Sequence, residues 1–89
     1  MIPAGNKITI LLVDNHPTTI TGLRALFSQT KDIKMIRDIP SGYDIYSAMA
    51  HAEPTLLLLD IATHGPNPIE LIQWIHENHK KTCAYFYVY

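Results

Sequence analysis

Apolar residues in this chain gather in four short runs, with three stretches of helical periodicity between them. The densest run is Thr55-Leu56-Leu57-Leu58-Leu59-Asp60-Ile61, set between Pro54 and the turn-forming His64-Gly65-Pro66-Asn67-Pro68. It is too short for an ordinary helix and has no polar alternation. It therefore predicts a strand buried on both faces, as in the middle of a parallel sheet. Residues 7–13, apolar and β-branched, predict a second buried strand. Residues 33–39 alternate imperfectly and fit a strand nearer a sheet edge, and residues 83–89 form a last strand.

Between these strands the period changes. Pro17 suits a first helical turn, and Ile20, Leu23, Leu26 and Phe27 share a helical face that ends between Ser28 and Lys31. Ser41 resembles an N-cap for a helix that turns Ile45, Ala48, Met49 and Ala52 inward and stops before Pro54. Asn67 followed by Pro68 is a cap and first position for a third helix. Its apolar side holds Ile69, Leu71, Ile72, Ile75 and part of Trp74, and His79-Lys80-Lys81 close it with favourable positive charge. Strand and helix alternating at this spacing imply right-handed crossovers and a parallel sheet with helices on both faces.

Composition narrows the classes. Eighty-nine residues, 47% hydrophobic and 17% charged, make one domain over residues 7–89 behind a short tail, residues 1–6. The tail lacks the charged and apolar regions of a signal peptide. With a net charge of −1 and scattered basic residues, the chain has no nucleic-acid stripe, and no apolar run approaches the roughly 20 residues of a membrane span. Cys83 stands alone, which excludes an internal disulfide and fits the cytoplasm.

Two of the buried strands end in carboxylates, at Asp14-Asn15 and at Asp60. Open α/β sheets bind ligands at the carboxyl ends of their strands. Singly, each Asp reads as a polar strand end; together they repel unless a cation intervenes, which points to Mg²⁺ and to phosphoryl chemistry on a carboxylate. His16 and His64 flank the same crevice as possible site neighbours or as plain loop residues. His76 and His79, spaced i, i+3, read as exposed helix residues. No hydrolase triad is present.

Residues 11–17 (Leu-Leu-Val-Asp-Asn-His-Pro), 22–26 (Gly-Leu-Arg-Ala-Leu), 54–60, and Gly65 with Asn67 resemble the receiver domain of two-component response regulators. The likeness runs from about residue 7 to the C-terminus and is nearest to the NarL/FixJ-like subgroup, whose receiver is joined to a DNA-binding domain. It implies a flavodoxin-like three-layer α/β fold with strand order 2-1-3-4, the fifth strand and fifth helix being absent from this chain. Asp60 then matches the aspartate that accepts a phosphoryl group from a sensor histidine kinase. Asp14 and Asn15 match the acidic pair near Mg²⁺, and Ala62 the residue whose backbone carbonyl completes the metal site.

The departures are specific. Asn15 lacks the negative charge of the usual acid, so Mg²⁺ affinity falls. His64 stands for a usual proline and Pro68 for a frequent glycine. Counting places Val88, or with a shift of one Tyr89, where a Ser or Thr is expected, and no Lys reaches the site: Lys7, Lys80 and Lys81 lie at the opposite sheet edge. The last strand becomes an aromatic edge of Tyr85, Phe86, Tyr87 and Tyr89, which predicts a homodimer or strand-swapped oligomer. The leading reading is a phosphorelay receiver that is not a stand-alone enzyme. The alternative is a phosphorylation-independent pseudo-receiver that acts as a protein-interaction module. A small Mg²⁺-dependent phosphotransferase would need a second acid where Ala62 stands.

Overall fold

A computed structural model describes residues 7–88; the expected tail, residues 1–6, and Tyr89 lie outside the described residues, as does the side chain of Ile36. The four apolar runs become strands β1 (Ile8–Val13), β2 (Ile33–Ile39), β3 (Leu56–Asp60) and β4 (Cys83–Tyr87). The intervening helices are α1 (Pro17–Ser28), α2 (Ile45–His51), which follows a 3₁₀ turn at Gly42–Asp44, and α3 (Pro68–Asn78). Every strand pair is parallel, as the alternation of elements predicts, and the sheet order is β2-β1-β3-β4, as the family resemblance implies. In β2, the imperfect alternation shows as a register slip against β1 between Ile10 and Leu11.

Right-handed crossovers decide which helix covers which face. The step from β1 to β2 runs one way along the sheet, and the steps from β2 to β3 and β3 to β4 run the other way. So α1 lies on one face, and α2 and α3 lie on the opposite one. The main core fills the second face: Leu11, Val13, Leu57 and Leu59 pack under Ile45, Met49, Leu71 and Ile75.

Caps fall where the sequence puts them. The Asn67 side chain accepts from the Ile69 N–H at 2.8 Å, with Pro68 opening α3. Ser41 caps the 3₁₀ turn by accepting from the Tyr43 N–H at 3.2 Å. At the amino edge of the sheet, the Thr82 hydroxyl donates to the Pro54 carbonyl at 2.6 Å and the Cys83 N–H to the Thr55 carbonyl at 2.9 Å. These bonds fix the start of β4 against β3.

Three burial expectations need correction. Strand β3 is not equally buried on its two faces: Leu57 and Leu59 are buried, Leu56 and Leu58 only half so, because α1 alone overlies their side. Leu26 is 58% exposed. It sits about 120° around α1 from Ile20, off the stripe that contacts the sheet. On α3, Leu71 and Ile75 face the core, whereas Ile69 and Ile72 are exposed. Ile69 lies about 160° from Leu71 on the helical wheel, so one contact face cannot take both.

Candidate functional site: a carboxylate pocket at the strand tips

Strand register brings the chemistry together. Val13 pairs with Leu59, and Asp60 with Tyr87, so Asp14, Asp60 and Tyr87 form one row across three adjacent strand tips. Successive side chains alternate faces, and all three residues fall in phase with Leu12, Leu58 and Tyr85 on the α1 side. Both carboxylates are completely buried.

Asp14 has both oxygens engaged. Its Oδ1 accepts from the His16 N–H at 2.7 Å and lies 2.7 Å from His16 Nδ1. Its Oδ2 accepts from the Tyr87 hydroxyl at 2.5 Å. Burial alone pushes the Asp14 carboxyl up, but the bonds from Tyr87, from the His16 N–H and from its ring outweigh this and hold it below the usual aspartate value. The Tyr87 phenol is pushed well above its ordinary range, first by burial and then by its bond to Asp14 and the charges of Asp14 and Asp60.

Asp60 is half-engaged. Its Oδ1 accepts from the Ala62 N–H at 3.0 Å, an Asx-type turn that continues as the Thr63 N–H donates to the Asp60 carbonyl at 2.9 Å. Its Oδ2 is buried and takes no hydrogen bond from the described residues, although His16 Nδ1 stands 3.3 Å away. Among the described residues, no Lys or Arg forms an ion pair with either carboxylate: Arg24 pairs with Asp38. Asp14, His16 and Asp60 each offer one ligand atom within 4.8 Å of the others.

The remaining predicted residues sort by position. Asn15 is exposed, between buried Asp14 and half-buried His16. Ala62 is at the pocket through its N–H. His64 bridges loops instead: its carbonyl accepts from the Gly42 N–H at 2.7 Å and its ring meets Tyr43 edge-on at 5.2 Å. Beside it, Gly42 and Gly65 touch so closely that a Cβ on Gly65 would stand 2.7 Å from the Gly42 Cα. Next to Asp60, the crevice bounded by Gly42, Thr63, Gly65 and Leu71 has about 10 Å³ of free space, room for one water and not for a metabolite.

Sequence reasoning missed Tyr87. The spacing count looked to residues 88 and 89, whereas the Thr82 and Cys83 anchors set a register that puts residue 87 opposite Asp60. The usable signal was alternation: Tyr85 and Tyr87 share a face, and that face carries both carboxylates.

No protein-family model matches the chain. Over 69 residues, 78% of the chain, it is 33% identical to the nitrate/nitrite response regulator protein NarL of Escherichia coli K12, covering 32% of that protein. A nitrate/nitrite response regulator homolog of Haemophilus influenzae is 24% identical over 68 residues, 76% of the chain and 33% of that protein. In three dimensions, the non-phosphorylated receiver domain of RcsB from Escherichia coli superposes with a TM-score of 0.81 at 17% identity, over 91% of this chain and 64% of that one. The chain has the fold of a response regulator receiver domain. Its fold also matches RcsB from Salmonella enterica bound to promoter rprA in the presence of phosphomimetic BeF3-, with a TM-score of 0.80 and 17% identity over 91% of this chain and 47% of that one. The chain spans about a third of the length of the curated relatives it matches. Among the described residues no helix is long and apolar enough to cross a membrane.

Proposed function

We propose that this receiver accepts a phosphoryl group on Asp60 from a phosphohistidine of a sensor histidine kinase. The observation that carries the reading is the split state of Asp60: Oδ1 is fixed by the Ala62 N–H, while buried Oδ2 has no hydrogen bond from the described residues. The fixed oxygen orients the carboxylate for reaction. Attack of the Asp60 carboxylate on phosphorus forms the O–P bond of an acyl phosphate, and the N–P bond breaks with its electron pair returning to the imidazole.

Among the described residues no Lys or Arg pairs with either buried carboxylate, and buried anions are paired or coordinate metals. The donor set fits Mg²⁺, held by Asp14, Asp60, Asn15 and the Ala62 carbonyl. Bound there, the ion supplies positive charge for the incoming phosphoryl oxygens. His16 and the Tyr87 hydroxyl stand against the carboxylates at the mouth of this pocket. The exchange belongs in the cytoplasm, and the signal passes to a transcriptional output, a reading supported by the promoter-bound RcsB that shares this fold. The exposed Tyr85 on edge strand β4 supports a homodimer.

A phosphorylation-independent interaction module is the second reading, favoured by the absence, among the described residues, of a Lys against Asp60 and by the Tyr87 bond that ties up Asp14. Incubation with Mg²⁺ and a small acyl phosphate, followed by intact mass, separates the two. One phosphoryl adduct that is lost in Asp60→Asn supports the receiver. An unmodified chain under both conditions supports the interaction module.

A further inference from the structure

We propose that His16 is a metal ligand in this pocket, so that Asp14, His16 and Asp60 form a one-nitrogen, two-carboxylate centre for a divalent ion of the Mn²⁺ to Zn²⁺ series. The inference rests on the reading above only in that a divalent cation enters the carboxylate pocket. It replaces the neutral amide of Asn15 with the neighbouring imidazole as the third side-chain donor.

Geometry supports the donor set. Ligands about 2.1 Å from one ion lie about 3.0–3.4 Å from each other in octahedral or tetrahedral arrangements. His16 Nδ1 is 2.7 Å from Asp14 Oδ1 and 3.3 Å from Asp60 Oδ2, already close to that spacing. The main chain holds the imidazole over the pocket, because the His16 N–H also bonds Asp14 Oδ1 at 2.7 Å and the His16 carbonyl accepts from the Ile20 N–H at 3.0 Å. Asn15, by contrast, is exposed.

A second observation points independently to a ligand. Asp60 Oδ2 is fully buried and aimed at this gap without a hydrogen bond from the described residues, which a bound cation would supply. On Asp14, the Tyr87 hydroxyl holds Oδ2 and so orients Oδ1 toward the same point, as partners outside the coordination sphere commonly do. A metal on His16 Nδ1 would displace the proton between Nδ1 and Asp14 Oδ1 to solvent, leaving the neutral imidazole protonated at Nε2. Imidazole nitrogen suits Fe²⁺, Ni²⁺ and Zn²⁺; Mn²⁺, next to them in the series, still accepts it beside carboxylates, whereas it contributes little to Mg²⁺, which prefers oxygen and water. The arrangement therefore shifts the pocket from an all-oxygen preference toward the transition series.

Mn²⁺ is the probe of choice because exposed Cys83 competes poorly for it. The full chain is titrated with Mn²⁺ by the loss of the free-ion EPR signal, with Mg²⁺ measured by competition. Pulsed EPR then reads nitrogen coupling to the bound ion. Wild type is expected to bind one Mn²⁺ with a coupled imidazole nitrogen. In His16→Gln, which keeps a polar side chain beside Asp14, that coupling vanishes. Mn²⁺ affinity then falls about tenfold or more while Mg²⁺ affinity changes by less than about threefold. The spectrum of wild type answers the question even if the variant is unstable. Bound Mn²⁺ without nitrogen coupling, or coupling that persists in His16→Gln, overturns the proposal and leaves the cation of the receiver reading standing. No Mn²⁺ binding at millimolar concentration overturns it as well, and the acyl-phosphate adduct on Asp60 then judges the receiver reading separately.

Discussion

Tyr87 and Asp14 control each other's ionisation, and that coupling is measurable. Asp14, with its carboxyl held low, stabilises the fold at every pH above the ordinary aspartate value of about 3.9, and this contribution is lost as pH falls through the lowered folded-state value. Tyr87 works from the other side. Below about pH 10 the phenol is neutral in both states; above it the unfolded chain ionises first, so stability declines as pH rises toward the raised folded-state value. Tyr87→Phe should shrink both limbs in urea unfolding across pH and cost about 1.5–3 kcal/mol at pH 7, the scale of a bond to a charged group. A stability profile identical to wild type would remove Tyr87 from the pocket. The same variant uncovers Asp14 and should speed acyl-phosphate labelling of Asp60. At this scale, Asp14 and Asp60 were legible in the sequence because strand ends reveal themselves through composition. Tyr87 was not, because its place depends on a register that one residue's slip would change.

The elements hold these residues by two kinds of contact. Leu57, completely buried in β3 two residues before Leu59 and three before Asp60, sets the depth of the central strand. Leu57→Ala should destabilise the domain by about 2–5 kcal/mol in chemical denaturation, with cooperative unfolding preserved. The second contact is between backbones. Gly65 and Gly42 meet with no room for a side chain, tying the loop after Asp60 to the turn before α2. In Gly65→Ala, the Cβ meets backbone that cannot rotate away, so thermal unfolding should show a loss of about 1–3 kcal/mol, the scale of overpacking. Full stability in that variant would show the loops free to separate. Strand existence and both caps were legible because local chemistry dictates them, while the strand order came from the family resemblance. Which of Ile69, Leu71 and Ile72 turns inward was not: all three are apolar, and only the position of the sheet chooses among them.

Across the whole molecule, the two faces of the sheet are unequal. The face under α2 and α3 carries the main core, while on the α1 side Leu56 and Leu58 are half-buried and Tyr85 is 62% exposed. Exposed β4 lies at a sheet edge among the described residues, and such edges pair with other chains. Light scattering over a concentration series should show a dimer by high micromolar levels, and Tyr85→Lys should hold the chain monomeric; wild type that stays monomeric would oppose this. The pocket lies on the α1 side, at the carboxyl edge, so its chemistry and the uncovered surface share a face. Asp60 as the reacting carboxylate is the feature on which the proposed function depends. Borohydride reduces an aspartyl phosphate to homoserine, so treatment of the acyl-phosphate-labelled chain followed by peptide mass mapping reads the reacting position directly. Homoserine at position 60 is the predicted result; homoserine at position 14, or none anywhere, would contradict it.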